Sequence, residues 1–197
     1  YRYIKVLPVK QEFLDSLPYF WLDSDRDTID LLKDSQSELY AGLYAERQKI
    51  RQQYEQVKRS VIDKFPQFFT PASAYSFEEF EHAYFTLNSR TIWVTNSNNK
   101  RALIPLLDNV NCKEGPDPSR VHTSTRSNEY DGAVVTKAPW GFGKGEQVFE
   151  NYGSDNYNNF FYHGFTLMNN THDCTYVKMQ FGSNSRLWCL SKTKVPG

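Results

Sequence analysis

Cysteine is scarce in this chain, and its placement excludes several chemistries. The three cysteines, Cys112, Cys174 and Cys189, are scattered, with no Cys-x-x-Cys spacing. A structural zinc site needs clustered thiols, so buried free thiols in a reducing compartment are expected and no metal is. Net charge is missing too. The 23 basic and 23 acidic residues cancel, so no global field argues for nucleic acid or an anionic membrane as partner. No apolar run approaches the roughly 20 residues that span a bilayer. Nor is a signal peptide expected: Tyr1-Arg2-Tyr3-Ile4 reads as mid-domain sequence. A fragment of a longer intracellular protein is expected, from cytoplasm, nucleus or an organelle.

What the chain does have is length and aromatic bulk. Its 197 residues suit one domain, or a domain with a helical lobe, and can bury a real core. Aromatics at 16% point to a packed globule with aromatic-lined clefts rather than a disordered chain. Up to Pro18 the apolar pieces are short and broken by prolines. Acidic residues at Asp23, Asp25 and Asp27 then mark a helix start. From Ser35 to Lys64 the pattern is helical, with Leu39, Leu43, Ile50, Tyr54, Val57 and Val61 on one face until Pro66 closes it. That helix either forms one wall of a peptide groove or simply packs while its charges stay wet.

Ser76 with Glu79 three residues on reads as a capping box. Phe77, Phe80, Ala83, Tyr84 and Leu87 continue that helix to Ser89-Arg90. Trp93-Val94 is a short strand, residues 97–100 a turn, and Lys113 to Asp131 a long polar loop. A strand follows between Gly132 and Lys137, and Gly141-Phe142-Gly143 reads as a turn. Toward the end, Tyr176–Met179 and Leu187–Leu190 form a hairpin across residues 182–185.

The most informative stretch is Gly145-Glu146-Gln147-Val148-Phe149-Glu150-Asn151-Tyr152-Gly153, running on to His163-Gly164-Phe165. Gly153 permits a corner that would strain a residue with a Cβ, so Tyr152 can project its hydroxyl into a cleft. On spacing alone, a hairpin with a structural tyrosine is the favoured reading. The motif Gly-Glu-Gln-Val-Phe-x-x-Tyr-Gly, with Asn156 beyond it and Gly164-Phe165 a dozen residues past the tyrosine, resembles the closing motif of SET-domain protein methyltransferases. The resemblance is to the Rubisco/ribosomal-protein/actin methyltransferase branch, and other motifs of that branch occur upstream in the same order. They are Leu17-Pro18 with Phe20-Trp21-Leu22-Asp23-Ser24, then Ser89-Arg90, then Pro105-Leu106-Leu107-Asp108-Asn109-Val110-Asn111.

That resemblance implies an α+β fold: a SET-domain β-clip with a knot-like crossing and a helical insert lobe. Residues 1–74 would be the insert, 75–173 the C-terminal part of the SET core, and 174–197 a hairpin leading to a C-terminal substrate lobe. The family's first SET segment, with its Gly-x-Gly strand, has no counterpart in this chain. The implied cofactor is S-adenosylmethionine, bound through Arg90, Asp108, Asn111, Cys112, Tyr152 and Phe165. The family has His where this chain has Cys112. The implied substrate is a lysine of a non-histone protein or peptide, lined by Ile92, Leu107, His163 and Phe165, with Tyr152 as the catalytic residue. A tyrosine is a poor base at its ordinary pKa, so its role is orientation and electrostatics. The actin-histidine sub-branch has Asn and Trp where this chain has Ile92 and Leu107, and apolar walls suit an aliphatic lysine stem. The run Asn169-Asn170-Thr171-His172-Asp173 nonetheless resembles that sub-branch, and is read as a capped turn rather than an acid–base pair. Histidine methylation and a SET-like binding module without catalysis remain the alternatives.

Overall fold

The structure, a computed structural model, describes residues 2–35, 37–94, 100–115, 127–138, 140–181 and 184–191. The turn expected at 97–100 lies almost wholly outside them, as does much of the polar loop expected from Lys113. The chain forms two compact units: residues 1–89 with 161–164, and residues 90–160 with 165–197.

The first unit is helical: α1 (Lys10–Ser16), α2 (Pro18–Ser24), α3 (Arg26–Asp34), α4 (Glu38–Val57) and most of α5 (Phe77–Arg90). Pro18, read from sequence as a breaker, is the first residue of α2, where its missing N–H costs nothing. Asp25 caps α3 by accepting from the Thr28 amide, and Ser76 caps α5 by accepting from the Glu79 amide at 3.4 Å. Along α4, Leu39, Leu43, Ile50 and Tyr54 are buried, as their spacing predicts. Val57 and Val61 are exposed, against expectation. Beyond α4 the ladder becomes a π turn over Lys58–Ile62, which changes the residues per turn and carries Val61 off the stripe, while Val57, the last residue of α4, is already exposed before it.

Aromatic rings fill this core. Phe85 is fully buried, its ring centroid 4.6 Å from Tyr19 and 5.2 Å from Phe20. Two carboxylates are buried with them, and each has a phenol partner: Tyr19 donates to Glu81 and Tyr84 to Glu46. Lys49 also reaches Glu46, at 3.0 Å. Gly164 (φ +74°) closes against α1, where an added Cβ would lie 2.7 Å from the Ser16 carbonyl oxygen.

The second unit carries the strands. β1 (Thr91–Val94) pairs antiparallel with β2 (Lys100–Leu103) and parallel with β4 (Ser127–Tyr130). β4 in turn pairs antiparallel with β5 (Ala133–Thr136), giving the order β2-β1-β4-β5. β4 occupies the end of the segment expected to be loop. Asp131 and Gly132, both at positive φ, make the two-residue turn into β5. β3 (Asn111–Cys112) pairs parallel with β6 (Phe149–Glu150), and β7 (Cys174–Phe181) forms the expected hairpin with β8 (Asn184–Ser191). α6 (Asn156–His163) covers the aromatic run whose helical character the sequence reading left out.

Cys112 is a free thiol, but Cys174 is disulfide-bonded, against the expectation of free thiols throughout. Cys174 opens β7, where its backbone pairs with Ser191 of β8.

Candidate functional site

Tyr152 lies two residues past β6, and two of its bonds fix it to the β3 segment. Its amide donates to the Cys112 thiol at 3.5 Å, and its hydroxyl donates to the Val110 carbonyl at 2.9 Å. Gly153 (φ +69°) turns the chain next, with its amide on the Asn151 side chain at 2.8 Å. The corner expected at Gly153 is therefore present. Phe165 stands edge-on to the Tyr152 ring, with centroids 6.1 Å apart.

The phenol is a neutral donor at any physiological pH. Burial raises its pKa, and the Glu150 and Cys112 charges raise it further. A hydroxyl has one proton, and here it goes to Val110. Toward any incoming group the oxygen is thus an acceptor. Burial likewise pushes the Cys112 thiol up to about 11, so only a small fraction of it is thiolate at neutral pH.

Arg90 ends α5, and its Nη1 donates to the Asp108 carbonyl at 3.0 Å and the Asn109 side chain at 3.2 Å. Asp108 is buried in the 3-10 turn Leu107–Asn109. These bonds leave the rest of the Arg90 fork to offer a carboxylate. Asn111 lies in β3 opposite Phe149 with its side chain exposed, able to donate and accept. Ile92 (in β1) and Leu107 are half-buried in the same unit. The structure thus joins Arg90 to Asp108, and Cys112 to Tyr152 and Phe165. His163 ends α6 and belongs to the first unit.

A polar layer beneath Tyr152 went unnoticed in the sequence. The Glu114 carboxylate accepts from the Gly115 amide at 3.1 Å, the Asn151 side chain at 3.2 Å, and the amide and hydroxyl of Thr171 at 3.0 and 3.1 Å. Nothing local marks it, because its partners lie 37 and 57 residues away. Asn156 exchanges two bonds with Leu167, each 2.9 Å, while Asp173 caps α6 by accepting from the Asn156 amide. His172 and Asp173 sit in a turn around Asn170, with their amides on its side chain and carbonyl. Among the described residues no cluster of three or more His, Cys, Asp or Glu could hold a metal, and no helix is long and apolar enough to cross a membrane.

Among solved structures, the chain matches the SET domain of LSMT, determined with lysine and AdoHcy bound, at 19% identity and a TM-score of 0.59. The fold is SET-like. That match covers 75% of this chain but 34% of the other, so the SET-like chain spans about a third of the length of the protein it matches. No protein-family model matches the sequence, and neither does any curated protein.

Proposed function

We propose that this SET-like chain is part of an S-adenosylmethionine-dependent protein N-methyltransferase acting on a lysine of a non-histone protein. The observation that carries the reading is Tyr152: a buried, un-ionised phenol that spends its proton on a backbone carbonyl, beside the Phe165 edge. The bound AdoHcy and lysine of the LSMT structure supply the chemical class, since AdoHcy is S-adenosylmethionine without its transferable methyl. On this reading residues 1–74 are a helical insert, 75–173 carry the SET core with a knot-like crossing, and 174–197 lead toward a substrate lobe.

The residues present fit such a cofactor. Arg90 keeps N–H groups for a carboxylate, and Asn111 presents an amide that can read a heterocycle edge. S-adenosylmethionine supplies an electrophilic methyl on a sulfonium, and the protein supplies alignment. A lysine amine is mostly protonated at pH 7, and presenting it neutral costs about 4 to 5 kcal/mol. Desolvation among Phe165, Ile92 and Leu107 would lower that cost. The Tyr152 oxygen, as acceptor, would orient the amine's N–H and so aim its lone pair. Cys112, where the family has His, keeps a backbone-fixing role through the Tyr152 amide.

Labelled methyl transfer to a lysine peptide and to its histidine equivalent tests the acceptor. Transfer to lysine at least about tenfold faster is expected. Transfer to histidine but not lysine would move the assignment to protein-histidine methylation. Transfer to neither, with cofactor bound, would favour a SET-like binding module.

A further inference from the structure

Glu150 has no part in the scheme above, yet its charge acts on Tyr152. In the parallel β3–β6 ladder Glu150 pairs with Cys112, so the two side chains share a face. Tyr152, two residues on and bonded through its amide to the Cys112 thiol, joins the same cluster. The Glu150 charge acts on both the Cys112 thiol and the Tyr152 phenol. Lys113, next to Cys112 in sequence, has its ammonium 5.2 Å from the Phe149 ring centroid.

We propose that the Glu150 carboxylate, set on one face with Cys112, draws a lysine into the site in its ammonium form, ahead of the proton loss that transfer requires, in preference to a neutral imidazole. This deepens the methyltransferase reading and rests on it. A carboxylate part-way out of water, with no ion-pair partner among the described residues, costs free energy, and such a cost is characteristic of functional sites. A bound ammonium would remove it. Burial alone pushes the Glu150 carboxyl up to about 7, so the group is charged above neutrality and uncharged below. Attraction for a cation should therefore be present at pH 8.5 and lost by pH 5.5. Other charges near the cluster are Glu114, just beyond β3, with Arg90 and Asp108 acting on Tyr152. Glu150→Gln removes one charge and leaves those.

Cys112 offers a direct probe of this field, needing no cofactor. Two methanethiosulfonate reagents, one bearing trimethylammonium and one bearing sulfonate, are reacted with the protein. Each rate at the Cys112-containing peptide is divided by that reagent's rate with 2-mercaptoethanol. Taking the ratio of the two cancels the thiolate fraction. At pH 8.5 the cationic reagent should be favoured roughly tenfold or more, by Coulomb interaction across a few ångströms of protein edge. The preference should fall toward parity by pH 5.5, with a midpoint near 7. In Glu150→Gln it should be small at every pH. An equal ratio in wild type and Glu150→Gln overturns the proposal, and so does a wild-type ratio that does not change through pH 7. Failure of Cys112 to react with either reagent also overturns it, since no cation then reaches the face. The wild-type pH series stands on its own if the variant does not fold. Failure of the methyltransferase reading shows separately, as absence of S-adenosylmethionine binding with the cation preference intact.

Discussion

Tyr152→Phe should lower the rate of methyl transfer by about 10²- to 10³-fold at saturating cofactor and substrate, while S-adenosylmethionine affinity stays within about twofold. The substitution keeps the ring, its edge contact with Phe165 and the amide bond to Cys112, and removes the oxygen alone. Losing one pre-aimed dipole in a desolvated site costs about 3 to 4 kcal/mol of transition-state stabilisation. Because burial raises the phenol's pKa, Tyr152 does not ionise in the assay range. The loss should accordingly be the same at pH 7 and pH 9, measured as single-turnover transfer of labelled methyl. A pH-dependent loss would instead make Tyr152 a proton acceptor. A loss under threefold would remove it from the chemistry.

Glu114→Ala should be the most damaging substitution beneath the site, lowering unfolding free energy by about 2 to 4 kcal/mol in a denaturant titration. One carboxylate accepts from Gly115, Asn151 and twice from Thr171, so it ties the segment after β3 to the one carrying Tyr152 and to the turn before β7. Removing it strands several donors, and each donor left without an acceptor in the interior costs about 1 to 3 kcal/mol, less where water enters. Glu114→Gln should recover part of the loss, since its amide oxygen still accepts while its NH₂ meets donors. A loss under about 0.5 kcal/mol would show that water replaces the carboxylate without penalty.

Local signals were readable wherever local chemistry decides. The Asp25 and Ser76 caps, the buried stripe of α4 up to Tyr54, and the β7–β8 hairpin all follow from residues within a few positions of one another. Two local signals were present and passed over. Asp155 accepts from the Asn158 amide and so caps α6, whose Tyr157, Phe160 and Phe161 fall at helical spacing. Asp131-Gly132 is a two-residue hairpin turn, and β4 and β5 flank it. Other features were beyond local reading. The π turn after α4 carries no residue signature, and the parallel pairing of β3 with β6 spans a long crossover.

The site divides the same way. Tyr152 and its glycine corner stand out in a contiguous motif, and Arg90 stands out at a helix end. That the Tyr152 hydroxyl binds the Val110 carbonyl, 42 residues back, is knowable only from the fold. Glu150 lies between these cases. It is two residues from Tyr152, a nearness visible in sequence. That no described residue forms an ion pair with it is not.

The account turns on whether the full-length protein binds S-adenosylmethionine. Calorimetric titration of that protein, beside its Tyr152→Phe and Asn111→Ala variants, measures this most directly. Saturable one-to-one binding is predicted, unchanged in Tyr152→Phe and weakened about tenfold, or about 1.4 kcal/mol, in Asn111→Ala. No detectable binding by the wild-type protein would contradict the account and leave a SET-like fold used for something other than methyl transfer.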